Sequence, residues 1–320
     1  MSRWEFKKGL QKIEKGVYAY LQPDGSWGLS NAGIVFEGDE SLLVDTLFDL
    51  KLTREMLNSM RAELKAASSI DKLVIAHANG DHFFGSELVG DAEVIASREC
   101  AEQMVESRPE VLSGMLKGAR EMGELGEFIL NIFGRFTFEG VSPRIPTRTF
   151  EGSLDLKVGS KDIRLIEVGP AHTRSDVMVY SPEDRVVFTG DILFIHVTPI
   201  MWAGPSSNWI KACELLLDMA ADVFVPGHGP ITDKKGVERV KGYLEYVRAE
   251  AKKRYEAGME ADEAAGDIDL GPYTTWHDPE RIAVNVDTFF REFMGDNSPV
   301  SVPDMMGRMA RLWKKKRGAS

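Results

Sequence analysis

Cysteine is scarce: the 320-residue sequence holds two, Cys100 and Cys213. That excludes a disulfide framework and points to a reducing compartment. Each stands alone, and a lone free thiol behaves as a small hydrophobe more often than as a reagent. Long apolar runs are missing as well. No stretch reaches the roughly 18 uninterrupted apolar residues that a transmembrane helix requires. The opening segment MSRWEFKKGL has no apolar core of a secretory signal, so a cytoplasmic protein is expected. An excess of positive charge is also lacking. The 39 basic and 50 acidic residues leave a net charge of −11, the wrong sign for a general nucleic-acid binder. The run Lys314-Lys315-Lys316-Arg317 is short and terminal, and reads as a solvated end. What is present is ordinary: 43% hydrophobic and 28% charged residues exclude a disordered chain, a collagen or a coiled-coil rod. The length fits one large domain or two modest ones.

Short apolar segments separated by turn residues dominate the first part. Strands are predicted at 16–21, 32–36, 41–46, 72–76 and 93–96, with a helix over 53–67 whose stripe is Met56, Leu57, Met60 and Leu64. From Arg98 to about Phe138 the composition turns helical and rich in methionine (Met104, Met115, Met122). A helical pair packed on the core is the first reading. A mobile lid over a pocket for apolar ligands is the second. Strands resume at 154–158, 163–168, 177–180 and 186–189, followed by a helix at 209–219 and a strand at 223–225. After Pro230 the chain is mostly helical and charged, broken at Gly271-Pro272 and Asp278-Pro279.

The residues that carry chemistry stand at strand ends. His77, Asn79, Asp81 and His82 lie within six residues, after the apolar run ending at Ala76. His172 follows the strand that ends at Val168, Asp191 follows Thr189-Gly190, and His228 sits in Pro226-Gly227-His228-Gly229. A sheet delivers its strand ends to one edge, where loops converge on a pocket. Imidazole and carboxylate suit a borderline metal such as zinc, and a donor set without cysteine suits a catalytic site with an open position. A lone histidine is more often a surface group, and His196 and His277 have that reading first. Both are kept, with Trp202, as candidate pocket residues, because His196 follows Asp191 closely and His277 adjoins Trp276.

With these motifs in order, the chain resembles the metallo-β-lactamase superfamily of hydrolases. The marks are Asp45 closing Leu43-Val44-Asp45, then His77-x-Asn79-x-Asp81-His82, His172, Asp191 and Gly227-His228-Gly229, over roughly residues 15–235. The resemblance implies an α/β fold, an αββα sandwich, with 1–235 as the catalytic domain. Residues 98–138 would be a helical insertion, and 236–320 a helical extension packed on the same domain. It further implies a first metal position at His77, residue 79 and His172, and a second at Asp81, His82 and His228. Asp191 would bridge them, and Asp45 would orient a ligand histidine through a hydrogen bond.

The departure is Asn79, where the family usually has histidine. An amide is a weak donor, so one or two zinc ions are expected with the Asp81/His82/His228 position preferred. His77, His172 and Asp191 are also two histidines and a carboxylate, as in mononuclear iron oxygenases, so Fe(2+) and a dioxygenase stay open. Zinc would give hydroxide at neutral pH by lowering the pKa of its water from about 16 to about 7. Asp81 or Asp191 would shuttle the proton to the leaving group. The expected substrate is a small apolar or aromatic molecule: an ester, thioester, lactone or activated aromatic carbon. A cyclase or thioesterase of the polyketide type is the further alternative. The stretch from Gly271 to Arg281 would close one side of the pocket or serve a homodimer interface. No membrane and no nucleic acid is expected as a partner: no basic stripe flanks the motifs.

Overall fold

The computed structural model describes residues 4–296, 298 and 300–318. Two mixed sheets face each other. The first contains β1 (Gly9–Glu14), β2 (Val17–Leu21), β3 (Ala32–Glu37), β4 (Glu40–Val44), β5 (Lys72–Val74), β6 (Glu93–Ser97) and β7 (Arg148–Phe150), in that spatial order. It is antiparallel from β1 to β4 and parallel from β4 to β7. The second contains β8 (Ser153–Val158), β9 (Lys161–Glu167), β10 (Val177–Ser181), β11 (Val186–Phe188) and β12 (Val223–Val225). Only the β11–β12 pair in it is parallel.

Alternation along the strands explains the layering. Val35, Leu42, Val44, Val74 and Ile95 point into the core between the sheets, where they meet Leu165, Val177, Val179 and Phe188. Their neighbours Ile34, Leu43, Leu73 and Val94 point the other way, under the helices. Strands buried on both faces need continuous apolar runs, and these short runs supply them. The fold is an αββα sandwich with a helical insertion and a helical C-terminal extension.

The helices are α1 (Leu50–Glu63), α2 (Gly80–Phe83), α3 (Arg98–Glu106), α4 (Pro109–Gly118), α5 (Gly123–Phe133), α6 (Ser206–Asp218), α7 (Lys234–Glu256), α8 (Ala261–Asp267), α9 (Ile282–Met294) and α10 (Val302–Gly318). α1 begins three residues before the position expected from its stripe. Asp49 caps it, accepting from the Leu52 amide at 2.8 Å. No helix among the described residues is long and apolar enough to cross a membrane.

The insertion α3–α5 and the extension α7–α10 share one apolar cluster with the sandwich. Phe128 of α5, Tyr243 of α7, Phe289 of α9 and Met309 of α10 are buried in the cluster that holds Leu57 and Trp209. Phe128 stands edge-on to Trp27, ring centroids 6.2 Å apart, and tilts against Trp313 at 5.7 Å. It pins insertion, N-terminal loop and C-terminal helix together. Phe128→Ala should lower unfolding stability by about 3–5 kcal/mol in urea titration, the cost of a large buried ring. A loss under about 1 kcal/mol would mean that α5 is loosely held.

Candidate metal centre and cavity

Five strand ends and loops converge at one edge of the sandwich. Asp45 follows β4 in the left-handed backbone region, φ 61°, which Asp tolerates better than most residues. One of its oxygens accepts from the Ala76 amide at 2.7 Å, and the other faces His82 Nδ1 at 2.8 Å. β5 ends just before His77, and the single turn of α2 then presents Asp81 and His82 together. His172 lies in the β9–β10 loop. Asp176 closes that loop by accepting from the Ala171 amide at 3.1 Å and the Thr173 hydroxyl at 2.9 Å, on either side of His172. Asp191 follows β11, and His228 follows β12. Asn31 clamps the His228 loop, its side-chain amide donating to Pro226 O at 3.0 Å and Gly229 O at 2.8 Å. Gly227 has to be glycine: a Cβ there would sit 1.9 Å from Asp191 Oδ1.

The side chains meet around Asp191. Its Oδ1 lies 3.1 Å from His82 Nε2. Its Oδ2 lies 3.2 Å from His172 Nε2, 3.5 Å from His228 Nε2 and 3.7 Å from His77 Nε2. Asp81 Oδ2 stands 3.2 Å from His228 Nε2. All are buried. Three outer ring nitrogens are tied down: His82 Nδ1 by Asp45, His172 Nδ1 donating to Ile200 O at 2.6 Å, and His228 Nδ1 donating to Gly25 O at 2.8 Å. A carbonyl only accepts, so the Nδ1 of His172 and of His228 bears the proton and Nε2 turns a lone pair inward.

Protein charges set the protonation states. Burial, reinforced by His82, holds His77 well below the ordinary histidine value. Burial brings His172 down to about 4. Burial also opposes charge on His82, but the carboxylates of Asp191, Asp45 and Asp81 hold it well above its ordinary value. Asp191 is kept well below the ordinary carboxylate range, because His228, His82, His77 and His172 outweigh its burial. His77 and His172 are therefore neutral donors at pH 7.

A cation fits this centre. His77 Nδ1 and Nε2 are buried without a hydrogen-bond partner, and His82 Nε2 and Asp191 Oδ1 have no partner beyond the 3.1 Å ion contact between them. Orphaned buried groups are rare because each costs the desolvation of a polar atom. Two triads have donor atoms mutually within 4.8 Å: His77, His82 and Asp191, and Asp81, His82 and His228. His172 belongs to neither. Its Nε2 faces Asn79 Nδ2 at 3.2 Å and accepts a hydrogen bond there.

Above the centre opens a cavity of about 760 Å³, with Asn79, Asp81, His172, Asp191 and His228 in its lining. Trp27, Phe48, Phe84, Phe133 and Trp202 wall it, and Leu112 and Met115 of α4 and Val302 and Met306 of α10 also line it. Trp202 lies where expected, its ring 6.5 Å from Trp27. His196 and His277 do not: both are exposed, are absent from the cavity lining, and pair through their backbones at 3.0 Å. His196 follows Asp191 closely, but its φ of 60° marks a bend of the chain after the strand end. Trp209 is core, fully buried against His172, its indole donating to Ile192 O. The stretch ending at Arg281 closes one side of the cavity through that residue. Sequence reasoning passed over Trp27, Asn31 and Asp176. Trp27 alone had a signal, a large aromatic in the glycine-flanked turn Gly25-Ser26-Trp27-Gly28.

The sequence model of the Metallo-beta-lactamase superfamily matches residues 25–228, more than half of the chain and every strand-end residue from Asp45 to His228. The chain belongs to the metallo-β-lactamase superfamily. A 2,4-dinitroanisole O-demethylase subunit alpha from Nocardioides sp. (strain JS1661) is 22% identical over 203 residues, 61% of this chain and 51% of that protein. A Beta-lactamase-like protein 2 homolog from Caenorhabditis elegans is 24% identical over 218 residues, 68% of this chain and 61% of that protein. The chain thus spans between half and two thirds of the length of these relatives. Among solved structures, a metallo-beta-lactamase from Pontibacter korlensis superposes with a TM-score of 0.57 at 20% identity, over 75% of this chain and 99% of that one. The sec-alkylsulfatase Pisa1 from Pseudomonas sp. gives 0.67 at 16% identity, over 91% and 51%. At these identities the likeness is one of fold.

The Asn79 side chain contacts the inner nitrogen of His172, and this contact predicts two metal positions of unequal strength. Equilibrium dialysis with elemental analysis should find one tightly held zinc per chain, and Asn79→His should add a second, since imidazole nitrogen replaces a weak amide donor. Two full equivalents in the unsubstituted protein would refute the inequality.

Proposed function

We propose that the chain is a metal-dependent hydrolase of small apolar or aromatic electrophiles: an ester, thioester, lactone or activated aromatic carbon. The observation that carries this reading is the cluster of buried metal-type donors, His77 and His82 among them, behind Asp81, His172, Asp191 and His228, which line an aromatic-walled cavity. In this reading Asp81, His82 and His228 hold the main ion. His77 and His172, with Asn79, form the weaker position, and Asp191 lies between. Zinc is the ion assigned, because the donors are imidazole and carboxylate with no thiolate. When bound, it would supply a water acidified from about 16 to about 7 and a positive charge against a developing oxyanion.

The chain's own groups do the rest. Asp45, Ile200 O and Gly25 O hold three rings by their outer nitrogens, so the inner nitrogens need no reorganisation. Asp81 and Asp191 are the carboxylates that line the cavity, and Asp81 is the less buried of the two. Its Oδ2 faces His228, leaving Oδ1 to hold the proton for the leaving group. Trp27, Trp202 and Phe133 exclude water and orient an apolar body over the floor. An aromatic wall agrees with the aromatic ether in the name of the Nocardioides relative.

The test pairs elemental analysis with rates on 4-nitrophenyl esters, thioesters, lactones and nitroaryl ethers. Asp81→Ala, His82→Ala and His228→Ala should each strip metal and lower hydrolysis by about 10²–10⁴-fold. Unchanged metal content and rate would end the hydrolase reading. Iron in place of zinc, with oxygen consumed, would replace it by a dioxygenase.

A further inference from the structure

Trp27 stands in the loop between β2 and β3 and lines the cavity together with Trp202, the ring centroids 6.5 Å apart. Phe128 and Phe133 meet it edge-on at 6.2 and 5.9 Å. Such packing fills space, but an indole can fill similar space in more than one orientation. Its single N–H is what distinguishes them, because a buried donor needs an acceptor.

The acceptor comes from the C-terminal extension. Trp27 Nε1 donates to Glu280 Oε1 at 2.9 Å. Glu280 lies in the short turn Pro279–Arg281 before α9 and is itself buried. The same stretch holds the loop at two further points. Ser26 Oγ donates to Asp278 Oδ1 at 2.8 Å, and the Arg281 guanidinium lies over the Trp27 ring at 4.1 Å. Asp278 and Arg281 are joined to each other at 3.0 Å. The neighbouring residue Gly25 supplies the carbonyl that takes the His228 Nδ1 proton. Burial pushes the Glu280 carboxyl above its ordinary value, and Asp278 adds to that, against the hydrogen bond from Trp27. A leucine of similar bulk would carry no such cost. What the glutamate adds is an acceptor at the place where the indole N–H would otherwise be left unpaired.

We propose that Glu280 is a positioning residue for substrate: by accepting the indole N–H it fixes the orientation in which Trp27, with Trp202 beside it, forms the apolar wall against the molecule bound in the cavity. This rests on the reading of the cavity as the substrate site, and it gives the C-terminal extension a part in substrate binding. A wall already held in its binding orientation spares the cost of ordering it when the ligand arrives.

The experiment is calorimetric binding of 4-nitrotoluene, an aromatic probe with no bond to hydrolyse, to the zinc-loaded full chain, with zinc content and urea stability measured in parallel. Glu280→Leu should weaken binding about fivefold and leave the zinc content unchanged. Glu280→Gln should restore binding, since an amide oxygen accepts the same hydrogen bond. A glutamate that serves only the fold would lower urea stability in Glu280→Leu and leave binding where it was, and that result overturns the proposal. So does a glutamine variant that binds no better than the leucine one. Zinc lost together with the probe overturns it as well, since the turn would then act through the centre rather than the wall. So does the absence of binding to the unsubstituted protein. Should Glu280→Leu fail to fold, the Trp27 indole N–H resonance of the unsubstituted protein decides. It must shift on addition of 4-nitrotoluene and remain slow to exchange with solvent; failure of either counts against the proposal. No turnover enters these readouts, so loss of hydrolysis alone would sink the enzymatic reading and leave this one standing.

Discussion

The carboxylate of Asp191, buried under four imidazoles, is the constraint that the rest of the molecule serves. A buried anion is expensive unless cations or hydrogen bonds surround it. Three of the four rings, His82, His172 and His228, have their outer nitrogens already fixed, so those rings cannot turn to relieve it. The centre is unsatisfied by design of its supports: Asp45 locks one ring, two backbone carbonyls lock two others, and Gly227 lets the backbone press within reach of Asp191. A divalent cation would resolve the conflict that the protein groups leave open. The sandwich exists to bring these groups to one edge, because β4, β5, β11 and β12 all end there.

How much of this was legible follows from where each signal lives. Strands buried on both faces announce themselves as short apolar runs and half-buried ones such as β8 and β9 by alternation, which is why β2 to β6 and β8 to β12 could be placed within a few residues. β1 could not. Its register slips between Lys12 and Glu14, so Leu10 and Ile13 fall three apart and break the alternation by which a strand is recognised. β7 is three mostly exposed residues with no pattern to find. Helices in 98–138 and beyond 230 were readable from composition. What they dock against was not, since Phe128, Trp27 and Trp313 meet only in space.

The centre was legible for a different reason. His77, Asn79, Asp81 and His82 fall on one strand end and one helical turn, so sequence spacing is already spatial spacing. His172, Asp191 and His228 add the same relation to their own strands. Proximity misled where that relation failed: His196 is five residues past Asp191, and a left-handed backbone there is enough to leave it on the surface. Arg281, Asn31 and Asp176 act through contacts with remote or looping backbone. No spacing rule reports such contacts.

The departure at Asn79 illustrates how a single side chain redistributes a site without dismantling it. His82 belongs to both triads that could hold a cation, while His172 belongs to neither. A weakened donor at 79 therefore falls entirely on the position that needs His172. There the amide spends its N–H on the lone pair that a metal would take. The Asp81, His82 and His228 triad shares no atom with that hydrogen bond. The cost of the substitution is therefore local: the Asp45-supported His82 keeps its orientation. The freed corner faces the cavity, with an amide where an ion would otherwise crowd it. Space next to the centre is then set by Asn79, and the shape of the remaining wall by α4, α10 and Arg281, elements added around the sandwich rather than part of it.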